Sequence, residues 1–361
     1  MFVADLHNDL VQRAMVGEDI TIDTHKGHTD IARLIKSNID FEILVVWVST
    51  IPDSESPFRH ANFMYDKIEN IVLTNNMLSI PKNLDEIVEN KKNNLLSLPI
   101  AMEGGEAIEN SINNLNHFID RGMFYFGPTW NHSLDWVSSG YDETYNKNKL
   151  KCLGLNKFGK EVVQVCNDRG VMIDVSHIGE KSFWDISSIA TKPFIASHSS
   201  VYNLSAHFRN LKDDQIFEIK RVEGLVGLNP YPFFIDSTFK KKEERFVSNY
   251  KDELNKIHIR EKNKNASWIA KQHFLQKKLR DIVPSLDIFI DHIEYIIKLI
   301  GIDYVAIGSD YDGLDCLPQG WDDCLDHMII SDALDNRGYS SKDIEKVMGN
   351  NILRVYEEVS K

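Results

Sequence analysis

The feature that most constrains this chain is a series of short, almost wholly apolar runs along its length. They are Val3 to Leu10, Phe41 to Val48, Leu98 to Glu103, Met123 to Phe126, Val171 to His177, Pro193 to His198, Gly224 to Asn229 and Tyr304 to Asp310. A strand with one face in water alternates apolar and polar residues. These runs do not, so both faces must be covered, as in a parallel sheet. The segments between them read as helices: Asp30 to Lys36, Asn62 to Met77, Asn83 to Lys91, Ile108 to Arg121, Phe158 to Asp168, Glu180 to Ile189, Asp213 to Arg221, Leu286 to Leu299 and Ser341 to Val359. About eight strands, most followed by a helix, predict an α/β fold of the (β/α)8, or TIM-barrel, type. The doubly wound alternative would place a glycine-rich phosphate loop after the first strand, and His7-Asn8-Asp9 is nothing like one.

A chain of 361 residues fits one such barrel with insertions, and residues 1–361 are expected to form a single domain. One stretch breaks the pattern. Residues 236–284 are rich in Lys and Glu and carry no strand signal, with helices expected over Phe246 to Ile259 and Ala266 to Asp281. Too few apolar residues lie there for a separate core, so it reads as a helical insertion before the eighth strand: a lid, an oligomer contact or a solvated arm. The net charge of −13 argues against nucleic-acid partners and offers no basic patch to an anionic membrane. No apolar run is long enough to span a bilayer, and neither a signal peptide nor a lipid-anchor tail is evident, so a cytoplasmic location is expected. Cys152, Cys166, Cys316 and Cys324 stand in no metal-binding spacing and read as reduced thiols, with a Cys316–Cys324 disulfide left open.

In a (β/α)8 barrel the active site is built at the C-terminal ends of the strands. The polar residues that close the apolar runs are His7 and Asp9, Glu103, His177, His198 and Asp310. Each has an ordinary explanation taken singly: a hydrogen-bonded histidine, a helix cap, turn chemistry around Asp310 and Asp312. Together they describe one site. Imidazoles and carboxylates without a thiol suit a hydrolytic zinc centre with open coordination positions. Five ligands, His7, Asp9, Glu103, His177 and His198, suit two zinc ions, with Glu103 as the bridge because a carboxylate has two oxygens. One ion would take His7, Asp9 and Glu103, and the other Glu103, His177 and His198. A hydroxide between them would be the nucleophile. Asp5, on the same strand face as His7, reads as a supporting carboxylate.

Several segments together resemble the membrane (renal) dipeptidase family of zinc peptidases within the amidohydrolase superfamily. They are Asp5-Leu6-His7-Asn8-Asp9-Leu10, Met102-Glu103-Gly104-Gly105, Gly154-Leu155-Asn156-Lys157-Phe158-Gly159, Asp174-Val175-Ser176-His177, Ser197-His198-Ser199-Ser200, Arg209-Asn210 with Asp213-Asp214, Gly308-Ser309-Asp310-Tyr311-Asp312-Gly313 and Gly349-Asn350-Asn351-Ile352-Leu353-Arg354. They run in order through almost the whole chain. The resemblance implies a dipeptide substrate, a binuclear zinc site bridged by Glu103, and a homodimer. It also implies Asp310 as the residue that carries a proton from the nucleophilic water toward the leaving amine, and Arg209 as the partner of the substrate's C-terminal carboxylate. A guanidinium suits that last task through its planar pair of donors.

One position departs from the family. Where the renal enzymes carry a histidine after the fourth strand, this chain has Trp130, in Thr129-Trp130-Asn131-His132. Asn131 or His132 could serve as the donor there, or Trp130 could line the pocket. The departure keeps open an amidase or deacylase of the same fold acting on a modified amino acid or lactam. A non-catalytic binding relative would lack a ligand or the acid, and none is lacking here.

Overall fold

The computed structural model describes residues 1–48, 55–261 and 263–361. Eight parallel strands form its centre: β1 (Ala4–Asn8), β2 (Phe41–Trp47), β3 (Ile100–Glu103), β4 (Met123–Gly127), β5 (Met172–Ile173), β6 (Ile195–Ser199), β7 (Leu225–Leu228) and β8 (Val305–Ile307). Every residue in them is buried, the polar Asp5, His7, Asn8, Glu42, Glu103, Ser197, His198 and Ser199 as well as the apolar majority, so both faces of the sheet are covered. β1 to β5 pair in sequence order as one ladder, and β6 to β8 as another. Two further short strands, Leu78–Ser79 and Leu96–Ser97, extend the first ladder beside β2.

The ladders meet at two seams, each carrying a parallel bridge. Asp174 pairs with Ile195 between β5 and β6, and Asn8 pairs with Tyr311 between β8 and β1. A buried carboxylate reinforces each seam. Asp174 accepts hydrogen bonds from the Ser176 N–H (3.1 Å) and hydroxyl (2.6 Å) and from the Ser197 N–H (2.8 Å) and hydroxyl (2.7 Å). Asp5 accepts from the N–H groups of His7 (3.1 Å) and Ser309 (3.0 Å), and burial pushes its carboxyl up to about 7. The supporting role expected of Asp5 is therefore a backbone one, at the place where the barrel closes. The backbone is tightly packed across β6, β7 and β8: a Cβ on Gly227 or Gly308 would run into the Ser197 carbonyl, so both positions require glycine.

The helices Glu180–Ile189 and Asp213–Arg221 match their expected bounds. Others shift for local reasons. The helix expected from Asn62 begins at Pro57, because Ser56 caps it by accepting from the Arg59 N–H and proline suits the first helical position. The segment Ile108 to Arg121 divides into a 3-10 turn (Gly105–Ile108) and an α-helix (Ile112–Asp120), separated by left-handed Glu109 and Asn110. The expected fifth strand keeps ladder geometry only at Met172–Ile173, and β8 ends at Ile307, before left-handed Asp310. Among the described residues no helix is long and apolar enough to cross a membrane. All four cysteines are free, so Cys316 and Cys324 are unpaired.

Residues 236–284 form three α-helices, Phe239–Val247, Lys251–Arg260 and Lys264–Leu279. Their apolar anchorage is small: Phe239 and Leu279 pack with Cys316. The third helix reaches the barrel mouth. His273 lies 3.7 Å from Glu18, the Gln276 amide meets the His28 ring at 3.0 Å, and the Trp268 ring approaches Trp47 at 6.2 Å.

Candidate active site

Five different strand ends converge at the C-terminal mouth. Glu103 closes β3, in register with Trp47 at the end of β2, and its Oε1 is the centre of the cluster. It lies 3.0 Å from His177 Nε2, 3.5 Å from His198 Nε2 and 4.0 Å from His7 Nε2. The His177 and His198 Nε2 atoms are 3.0 Å apart, and His7 Nε2 is 3.6 Å from Asp9 Oδ2. Two overlapping groups bring their donor atoms within 4.8 Å: His7 with Glu103 and His198, and His7 with Asp9 and Asp310. Asp310 is half-buried, left-handed at φ 58°, and its Oδ2 accepts from the Asn229 amide at 2.9 Å. Gly313 lets the turn pass: a Cβ there would collide with both Asp310 and Asp9.

The outer bonds of the three imidazoles decide their tautomers. Tyr125 Oη is 2.7 Å from His7 Nδ1 and gives its own hydrogen to the Leu6 carbonyl. Ser197 Oγ is 2.8 Å from His198 Nδ1 and gives its hydrogen to Asp174. Asn131 Oδ1 is 3.3 Å from His177 Nδ1. All three partners act as acceptors, so Nδ1 carries a hydrogen in each ring; Nε2 is a bare lone pair on the neutral His177 and His198, and on His7 it faces Asp9 and Glu103, where their charge draws a proton or a cation. This is the arrangement of metal-binding histidines, which donate their second nitrogen to an outer partner.

His7 Nε2 and Glu103 Oε1 are buried without a hydrogen-bond partner, a costly state for groups that nothing else satisfies. The chain by itself draws positive charge to this spot. Burial opposes an imidazolium at His7, but Asp9, Glu103 and Asp310 outweigh it and hold the ring up to about 10. Burial, partly offset by His7, lifts Glu103 well above the usual carboxylate range. Burial also raises Asp310 to about 6. The same desolvation, with Arg209 and His7 nearby, keeps His177 and His198 neutral. Orphaned donors, neutral imidazoles and crowded carboxylates fit divalent cations.

The cluster opens into a cavity of about 320 Å³. Arg209, which by sequence looks like a surface residue, is 4% exposed and lines it. Its Nη atoms donate to the carbonyls of Ser176 and His198, at the ends of β5 and β6, and Nε has no partner. Burial lowers the guanidinium to about 10, still charged at neutral pH. Trp130 lines the cavity, edge-on to Trp47 at 4.8 Å. Asn131 also lines it but commits its Oδ1 to His177. His132 is exposed, outside the cavity lining, with its ring against Trp130.

Four residues not expected from the sequence also serve the site: Tyr125, Asn229, Asp174 and Trp268. Asn229 carried the same signal as the others, a polar residue closing an apolar run. Tyr125 was a hydroxyl inside a buried strand, which must find a partner. Trp268 lay among charged residues and had no signal at all.

A parallel barrel with a histidine–carboxylate cluster at its C-terminal rim defines a metal-dependent hydrolase of the TIM-barrel class. The family model for the membrane dipeptidases, peptidase family M19, matches residues 1–361. The chain belongs to this family and is a metal-dependent dipeptidase. Dipeptidase tcpJ of Claviceps purpurea is 24% identical over 372 residues, covering 98% of this chain and 76% of its own. The fold is shared with a metallopeptidase from Rhodobacter sphaeroides liganded with a phosphinate mimic of the dipeptide L-Ala-D-Ala. That structure has a TM-score of 0.79 and 21% identity, covering 99% of both chains. It is shared too with the probable dipeptidase PvdM from Pseudomonas aeruginosa, at a TM-score of 0.80 and 21% identity, covering 100% of this chain and 96% of that one.

Proposed function

We propose that the site holds two zinc ions shared by Glu103 and hydrolyses the peptide bond of free dipeptides. The observation that carries this reading is the common orientation of three imidazoles, each with Nδ1 occupied and Nε2 directed at Glu103 Oε1. His7, Asp9 and Glu103 would hold one ion, and Glu103, His177 and His198 the other. When bound, such a pair lowers the pKa of a coordinated water and polarises the scissile carbonyl. The phosphinate in the Rhodobacter sphaeroides protein is a mimic of a dipeptide, which supports the same substrate class here.

The chain's own groups supply the remaining steps. Asp310, steadied by Asn229, stands within reach of His7 and Asp9. Its carboxylate takes the proton of the attacking water and, as the acid, delivers it to the departing amine nitrogen. Arg209 holds the carboxylate of the residue that leaves, which limits the substrate to two residues. Backbone carbonyls brace the guanidinium, so it is oriented before substrate arrives.

Zinc content and hydrolysis should be measured together, on wild type and Asp310→Asn, with L,L and L,D dipeptides beside N-acyl amino acids. The expected result is two zinc ions per chain in both proteins, with dipeptide turnover in the wild type only. Hydrolysis of N-acyl amino acids with silence on every dipeptide would replace the substrate. One zinc per chain would overturn the bridging role of Glu103.

A further inference from the structure

Three indoles stand together on one side of the cavity. Trp47 closes β2 in register with Glu103, and its ring centroid lies 4.8 Å from Trp130 and 6.2 Å from Trp268. Trp130 in turn lies 6.3 Å from the His177 ring. All three line the same cavity as Glu103 and Asp310. Trp47 is 7% exposed and Trp268 36%, so the wall runs from the cluster outward to the rim. Trp268 is not a loose surface residue. Its helix, Lys264–Leu279, is held by the Gln276–His28 contact and by the burial of Leu279 against Phe239 and Cys316.

We propose that Trp47, Trp130 and Trp268 form the subsite for the side chain on the N-terminal side of the scissile bond, and that they select a large apolar, above all aromatic, residue there. The proposal rests on the dipeptidase reading for its orientation. Arg209 is anchored to the ends of β5 and β6, whereas the indoles belong to the ends of β2 and β4 and to the helix above them. A dipeptide whose carboxylate meets Arg209 must lay its other residue across the metal cluster, toward the indoles. Stacked and edge-on aromatic contacts favour a ring there beyond simple area burial. Residues 236–284 then act on selectivity, through Trp268, and not on the chemistry.

The test is kcat/KM for Gly-Ala, Phe-Ala, Lys-Ala, Ala-Gly and Ala-Phe, on wild type, Trp268→Ala and Trp268→Phe. Phe-Ala is expected to exceed Gly-Ala by about tenfold or more. Trp268→Ala should reduce that ratio by about tenfold, mainly through KM, and Trp268→Phe should keep most of it. The Ala-Phe to Ala-Gly ratio should not follow the substitution. Equal rates on Gly-Ala and Phe-Ala would overturn this inference alone, as would a uniform loss on all peptides in Trp268→Ala. Lys-Ala outrunning Phe-Ala would mean that the indoles read positive charge and would overturn it too. A response in Ala-Phe instead of Phe-Ala would reverse the orientation and overturn it. Hydrolysis of none of the peptides would remove the dipeptidase reading, and this inference with it.

Discussion

The two halves of the barrel mouth are built differently. The polar half, His7, Asp9, Glu103, His177, His198 and Asp310, stands on strand ends or within four residues of them. Its members are held by neighbours that are themselves locked: Tyr125 inside β4, Ser197 and Asp174 at a seam, Asn229 after β7. The aromatic half, apart from Trp47, comes from the loop after β4, with Trp130, and from the helix Lys264–Leu279, with Trp268. The difference separates tasks. Groups that must share one reacting centre need the precision of a closed sheet. Groups that grade substrates by size need only a surface, which a loop or an added helix can supply.

The sharpest test of this separation is Asp310→Asn, which keeps shape and removes the proton carrier. Turnover is expected to fall by about 10²–10⁴-fold with KM within a few-fold, and a change confined to KM would break the comparison. Arg209→Lys loses the braced fork. Its KM for dipeptides should rise by about 10–100-fold, the range for a lost hydrogen bond to a charged group, with a smaller change in kcat. Tyr125→Phe leaves the core filled but deprives His7 Nδ1 of its acceptor. Competition with a chelator should then show zinc held about 10–100-fold more weakly, and unchanged affinity would mean that Tyr125 does not orient His7.

A last effect, on stability and not on the chemistry, concerns the side of the cavity lined by Phe233 and Phe234. His292 Nδ1 accepts the Val201 N–H at 3.1 Å, and its Nε2 donates to the Ile235 carbonyl at 3.1 Å. It bridges the segments after β6 and β7 only while neutral, and burial lowers it to about 4. The unfolded ring has its ordinary value of about 6.5, so below that pH the unfolded chain binds the proton first. The bridge is therefore fully present above about 6.5 and lost as pH falls toward about 4, worth at most about 3 kcal/mol. Urea denaturation at pH 7 and pH 5 should show stability falling on acidification, with a shallower slope in His292→Gln. Equal slopes in the two proteins would remove His292 as a cause.

Much of the site was legible because a parallel barrel turns a one-dimensional signal into a place. An apolar run that ends in His, Asp or Glu puts that residue at the mouth, whatever its position in the chain. Glu103 and His198 were found in this way, 95 residues apart in sequence and 3.5 Å apart in space. Strand lengths were less legible. At β5 and β8 the expected runs outlast the strands: beyond Ile173 only a single bridge, Asp174 to Ile195, continues the pairing, and beyond Ile307 the chain turns left-handed at Asp310, local changes that leave no mark in hydropathy.

What the sequence determined by itself was the layering, the strand order and the set of residues offered at the mouth, since burial on both strand faces and alternation along the strand are local properties. Whatever depends on packing between distant segments had to wait for the folded chain. Arg209 is buried because the ends of β5 and β6 take its hydrogen bonds. His132 stays outside while its neighbour Trp130 turns in against Trp47. Trp268 reaches the cavity on a helix held in place by distant partners, with Leu279 packed beside Phe239 and Cys316 and Gln276 against His28. No periodicity in the surrounding Lys- and Glu-rich sequence records that contact, because its energy lies in the partner surface and not in the segment itself.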